Sequence, residues 1–328
     1  MAKQNKEKSQ FKLLGKKRFA PFFWTQFLGA FNDNVFKNAL LALVAFNAAY
    51  STNLGTSAID NLAAGFFILP FVIFSALAGQ LADKFEKSAL IRYIKLFEIF
   101  TMLTASVALY YNSVWGLLII LFFLGTQSAF FGPVKYSIIP QHLHPDELVG
   151  GNAWVESGTF IAILLGTITG TLLTQADNGP LWIALVVVLI AITGWMTSRK
   201  VPLAKSANET LRIRYNPLTE TWKTLQLGRQ KRAVFLAIMA ISWFWFLGAS
   251  YLTQLFQFTK TDLNGDQTVV TTLLALFSIG IAFGALLCER LSGHKVELGL
   301  VPVGSIGLTI FGVDIFFAYT PAPGKETG

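Results

Sequence analysis

The chain alternates long apolar runs with brief polar punctuation, and the runs recur near the ~20 residues a helix needs to cross a bilayer. On that pattern, helices are expected at 19–47, 58–81, 89–111, 114–132, 149–174, 180–198, 233–258, 268–288 and 298–319. Connectors as short as "NSV" and "ADNGP" make neighbouring helices antiparallel. Only the 199–232 stretch is long and hydrophilic, and it divides the pattern into six helices followed by three. Inside the first run, "FNDNVFK" (Phe31–Lys37) interrupts the apolar pattern with two amides, a carboxylate and an ammonium. Asp33 lies about 14 residues, or ~21 Å, into that span.

Composition narrows the class. Hydrophobic residues make up 53% of the chain and charged residues 13%, with mean hydropathy +0.54. A soluble domain carries roughly twice that charge fraction, so an all-α polytopic membrane protein is expected. Cys288 stands alone, which excludes an intramolecular disulfide and a cysteine metal cluster. His142, His144 and His294 are too scattered for a metal site, so no metal or cofactor is expected, and no nucleic-acid partner. The N-terminal "MAKQNKEKSQFKLLGKKRF" resembles a signal-peptide head. The run behind it is too long and too charged for one, so it reads as a retained first helix.

Charge then sets orientation. The tail before helix 1, the 2–3 and 8–9 turns, Lys135 and the long linker hold nearly all the Lys and Arg. Only Lys260 and Lys325 fall on the other side. A cytoplasmic N-terminus is therefore expected. The layout is a basic tail (1–18), a six-helix bundle (19–198), a linker (199–232), a partial second bundle (233–319) and an external tail (320–328). "PLTETWKTLQLGRQKR" in the linker reads either as a basic amphipathic helix on the anionic inner leaflet or as a solvated connection.

Polar residues within helices are costly and mark cavities or bundle interiors. Gln26, Ala30, Asp33 and Lys37 share one face of helix 1, and the i,i+4 spacing lets Asp33 and Lys37 pair. Helix 5 carries a stripe of Asn152, Glu156, Thr159, Ile163, Gly166 and Gly170, whose two glycines permit tight helix contact. Gly132-Pro133 is expected to break helix 4 and present Lys135 near the cytoplasmic mouth. Polar residues of helices 1 and 5 would then converge on one wet chamber. The plainer alternative is a structural Asp33–Lys37 ion pair with Glu156 satisfied by packing. Gln127 and Gln254 suit interhelical hydrogen bonds, and Asp314 lacks partners within the chain.

"GQLADKFEKS" (Gly79–Ser88) resembles the loop 2–3 signature of the major facilitator superfamily through Gly79, Leu81, Ala82, Asp83, Lys84 and Lys87. Glu86 replaces the usual glycine there, and Ser88 a basic residue. In this reading Gly79 admits a close neighbouring helix, and Asp83, Lys84 and Lys87 latch the cytoplasmic face. "FGALLCERLSGHKVEL" at helix 8 weakly repeats the pattern, as parallel six-helix halves require.

"FWTQFLGAFNDNVFKNALLALVAF", "FFGPVKYSIIPQ" and "LVGGNAWVESGTFIAILLGTITG" are similar to segments of the lysophospholipid transporter family. "SWFWFLGASYLTQ" and "LLCERLSGHKVELGLVPVGSIGL" resemble a branch fused to acyltransferase and acyl-ligase domains. The resemblance implies a major facilitator fold, complete in its first half and incomplete in its second, cut short after helix 9. It implies a bacterial inner membrane and the flipping of a lysophosphatidylethanolamine-like lipid for reacylation. It carries substrate-related roles onto Asp33, Glu156 and Lys135; with Asn32, Asn34 and Lys37 these make the candidate substrate-binding set, carboxylates for the ammonium and lysines for the phosphate. Helix 7 lacks the basic residue that stand-alone members carry. Two alternatives remain: the membrane domain of a bifunctional acyltransferase, although no catalytic motif lies in this span, and a proton-coupled exporter. Lysophospholipid, membrane lipids and acyltransferase domains in cis are the partners this implies.

Overall fold

The computed structural model describes residues 10–261, 263, 267–293 and 295–319. Their α-helices are α1 (Ala20–Phe46), α2 (Thr56–Lys84), α3 (Lys87–Tyr110), α4 (Val114–His142), α5 (Leu148–Leu173), α6 (Gly179–Ser198), α7 (Pro217–Gln230), α8 (Arg232–Thr261), α9 (Gln267–Leu291) and α10 (Leu300–Tyr319). Residues 1–9, His294 and 320–328 lie outside the described residues, as do the side chains of Gln254 and Lys260.

Local chemistry sets the helix ends. Pro21 opens α1, where its missing N–H leaves no helical bond unmade. Ser113 caps α4 by accepting from Gly116 N–H, and Asn216 caps α7 by accepting from Thr219 N–H. Asn178 takes the left-handed backbone (φ 58°) that the tight turn into α6 requires.

Helix 4 corrects an expectation. Rather than breaking at Gly132-Pro133, it runs on to His142 with Pro133 and Pro140 inside. Each proline removes one helical hydrogen bond, whereas a full break in apolar surroundings strands several backbone groups without water. Lys135 therefore sits on α4 itself.

Six described helices, α2 to α6 and α9, are long and apolar enough to cross a membrane, and α7 with α8 forms a further candidate bent by 119°. At 27 residues α1 has the length, but it carries the polar Asn32–Asp33–Asn34 centre. It packs most extensively on α5 and α6, while α2 pairs with α4 and α3 with α6. A Cβ on Gly166 would lie 2.7 Å from the Phe31 carbonyl oxygen, and one on Gly170 would run into the Val35 carbonyl. These glycines let α1 and α5 touch backbone to backbone. Gly125 does the same for α2 and α4, against the Phe67 carbonyl. Gly79 does not: a Cβ there would meet nothing within 4 Å, so the close neighbour expected of it is absent among the described residues.

The first part of the linker is built into the bundle. Val201 and Ala204 are buried with Phe19, Ala82 and Ile91. Gln10–Gly15 likewise packs down, with Gln10 Nε2 donating to the Leu286 carbonyl of α9 at 3.1 Å. The two parts of the chain also meet where Ser157 Oγ of α5 donates to the Ala282 carbonyl of α9 at 2.8 Å.

Candidate functional site

Successive helical residues turn by about 100°, so the three polar residues at the centre of α1 leave it on three sides. Asn32 Nδ2 donates to Glu98 Oε1 of α3 at 2.8 Å. Asp33 accepts from Ser128 Oγ at 2.6 Å and Gln127 Nε2 at 3.3 Å, both on α4. Asn34 Nδ2 turns back to the Ala30 carbonyl at 2.8 Å, and its Cβ lies where Gly166 of α5 comes close. Lys37 Nζ lies 5.9 Å from the Phe67 ring centroid on α2. The expected Asp33–Lys37 ion pair does not form, because each side chain is drawn to a different helix. Asn32 and Asn34 both spend their amide donors inside the bundle.

The Glu98 partner of Asn32 belongs to a feature that the sequence reading passed over. Lys95 Nζ stands 2.5 Å from Glu98 Oε2, with the two side chains 3% and 1% exposed. A Cβ on Gly29 would strike Lys95 Nζ, and Gly194 lies against Lys95 Cδ, so small residues on α1 and α6 leave the lysine its room. Lys95 lies within α3 and is an interior charge rather than one of the cytoplasmic turn. The signal was present as opposite charges three residues apart in "IKLFEIF".

A second polar set joins α1, α4 and α5. Tyr136 Oη donates to Glu156 Oε1 at 2.7 Å. Lys135 Nζ donates to Thr159 Oγ1 at 3.1 Å and stands 3.9 Å from Glu156. Thr159 Oγ1 in turn donates to Gln26 Oε1 at 3.1 Å. Here the charges stay accessible, with the Glu156 side chain 30% exposed and Lys135 12%. Asp33, by contrast, is buried. Gln26 and Asp33 are seven residues apart on α1, about 10 Å by helical rise. The two carboxylates therefore stand at different levels along α1, each with its own partners. A groove of about 510 Å³ between α3 and α4, and one of about 460 Å³ at the far ends of α1 and α5, are lined by neither.

The 79–88 turn also works differently from its expected role. The Asp83 side chain is exposed, and what is bonded is its backbone carbonyl, by the Ala207 and Asn208 N–H groups at 2.8 and 2.9 Å. The carboxylate that bonds is Glu86. It accepts from Ser88 N–H, Ser88 Oγ and Ala89 N–H at the start of α3, and from Ala204 N–H of the linker at 2.8 Å. Burial alone would raise its pKa, but these hydrogen bonds outweigh it and hold the carboxyl below its ordinary 4.5. Lys87 is buried and donates to the Lys205 carbonyl at 2.9 Å, while Lys84 lies beside the Phe85 ring.

Membrane-length helices enclosing a buried ion pair and a second, accessible carboxylate–ammonium set have the build of a polytopic transport protein. The family model described as Major Facilitator Superfamily matches residues 22–324, and the chain belongs to that superfamily. Among curated proteins it is similar to the lysophospholipid transporter LplT of Enterobacter sp. (strain 638), 27% identical over 304 residues, covering 91% of this chain and 72% of the relative. The proteins of that name from Klebsiella pneumoniae (strain 342) and Photorhabdus laumondii are 26% and 24% identical. Those matches cover 91% and 85% of this chain, and 72% and 67% of the relatives.

Proposed function

We propose that this protein moves a lysophospholipid across a bacterial inner membrane, with its N-terminus in the cytoplasm. The observation that carries the reading is the Lys135–Glu156 couple: opposite charges 3.9 Å apart and partly exposed, where the bundle's Lys95–Glu98 pair is sealed from water. A zwitterionic headgroup can enter such a couple by exchange. Its ammonium takes Glu156 and its phosphate takes Lys135, so no charge is left unpaired during transfer. Thr159 and Tyr136 hold the two groups in place meanwhile, and the acyl chain remains in lipid. The names of the curated relatives support the substrate class, and the clustering of Lys and Arg supports the orientation.

Asp33 and Lys37 take a second, later contact with the headgroup, made when α1 and α4 part. Asn32 ties α1 to α3, and Asn34 bonds back within α1 where Gly166 packs against it, so neither touches lipid. The 79–88 turn acts as the latch, with Glu86 and Lys87 bonded to the linker in place of the Asp83 side chain. An acyltransferase, in cis or as a separate protein, is the partner that would consume the delivered lysolipid, in keeping with the fused-branch likeness of segments in α8 and from the end of α9 into α10.

Vesicles containing the protein are expected to move labelled lysophosphatidylethanolamine inward well above protein-free vesicles, and a labelled sugar not at all. Equal rates with and without protein would overturn the assignment.

A further inference from the structure

The helix α7 has no part in the site just described, and its surroundings say where it lies. Its start is pinned to the end of α2: Arg214 N–H donates to Gln80 Oε1 at 2.8 Å, and Gln80 Nε2 donates to the Arg214 carbonyl at 3.1 Å. Its other end passes directly into α8 at Arg232 through a 119° bend. A helix strung between the end of the membrane-length α2 and the start of the 30-residue α8, and turned about 30° from perpendicular to α8, has the geometry of a helix lying along a membrane surface. Trp222 and Leu225, one turn apart on α7, are 57% and 45% exposed, as an interfacial helix requires but a solvated one does not.

Charge specifies the surface. Residues 212–232 hold Arg212, Arg214, Lys223, Arg229, Lys231 and Arg232 against the single acid Glu220. Glu220 is already taken by Lys223 at 2.6 Å and Arg214 at 3.7 Å. Arg212, Lys231 and Arg232 have no ion pair among the described residues. We propose that α7 is an anionic-phospholipid binding element, with Trp222 and Leu225 seated among the acyl chains and Arg229, Lys231 and Arg232 on lipid phosphates. Through Gln80 the bound lipid is tied to the end of α2, next to the 79–88 turn.

The test is hydrogen exchange of amides 217–232 in the whole chain, in nanodiscs of phosphatidylcholine alone or with about 30% phosphatidylglycerol. Exchange in this segment is expected to slow about tenfold in the anionic discs, and high salt or the triple variant Arg229→Gln, Lys231→Gln, Arg232→Gln should reverse the slowing. Amides of α3 and α6 should not change, which controls for the fold. Equal exchange in the two lipid compositions overturns the proposal. So does slowing that appears only on adding polyglutamate, which would assign the face to an acidic protein. Should the triple variant fail to assemble, the wild-type comparison between the two lipids decides alone.

Discussion

Lys95 and Glu98 are costly residues to disturb singly. Each neutralises the other out of reach of water, and Asn32 takes the remaining carboxylate oxygen. Replacing Lys95 by Ala leaves a buried carboxylate with an amide donor but no counter-charge, at a cost of about 3–5 kcal/mol. The double variant Lys95→Met, Glu98→Met removes both charges and should recover most of that loss, as thermal unfolding in detergent would show. Glu86 gives a pH signature of another kind. Its folded pKa is depressed, so the stability it contributes is fully present above the ordinary 4.5 and is lost as pH falls through the depressed value. Glu86→Gln should abolish that acid-side loss, checked by limited proteolysis of the linker as a function of pH. Sequence alone placed polar groups in the right helices but misjudged their partners. Partner choice depends on which neighbour each side chain faces: Asp33 found a serine across the interface, not the lysine one turn away. Glu86 looked like a departure from a pattern and proved to be the bonded carboxylate.

Among elements, the apolar runs located the helices well because membrane-spanning length is written directly into hydropathy. The exception, α4, was misjudged because proline breaks helices in water far more readily than in surroundings where freed backbone groups have nowhere to go. Glycines divide the same way. Gly170→Leu should separate α1 from α5 and sharply reduce the yield of folded protein, since the added side chain meets Val35 and Ala39 backbone. Gly79→Ala should be neutral or stabilising by up to about 1 kcal/mol, because nothing occupies the space and alanine is the better helix former. Unfolding midpoints of the two variants compared side by side check both. A motif glycine and a packing glycine look alike in sequence, and only the neighbouring backbone tells them apart.

For the whole molecule, the linker read as a hydrophilic divider, and its second part as a candidate amphipathic helix. Its first part is a strap: residues 203–208 bond to the ends of α2, α3 and α4 through Asp83, Lys87, Gln141 and His142. Nothing in its composition announces this, since the bonds are made largely by its backbone. The strap bonds the 79–88 turn to a segment that leads on to α7 and α8, so the turn and the second bundle are joined through the chain itself. The central claim concerns the Lys135–Glu156 couple and its exchange with a zwitterion. It is tested most directly by comparing two labelled lipids, lysophosphatidylethanolamine and the amine-free lysophosphatidic acid, in vesicles carrying the wild type or Glu156→Gln. The variant should lose about tenfold in transport of the amine-bearing lipid, the worth of one charge-assisted hydrogen bond, with the amine-free lipid little changed. A variant that moves both lipids at wild-type rates, or loses both equally, would contradict it.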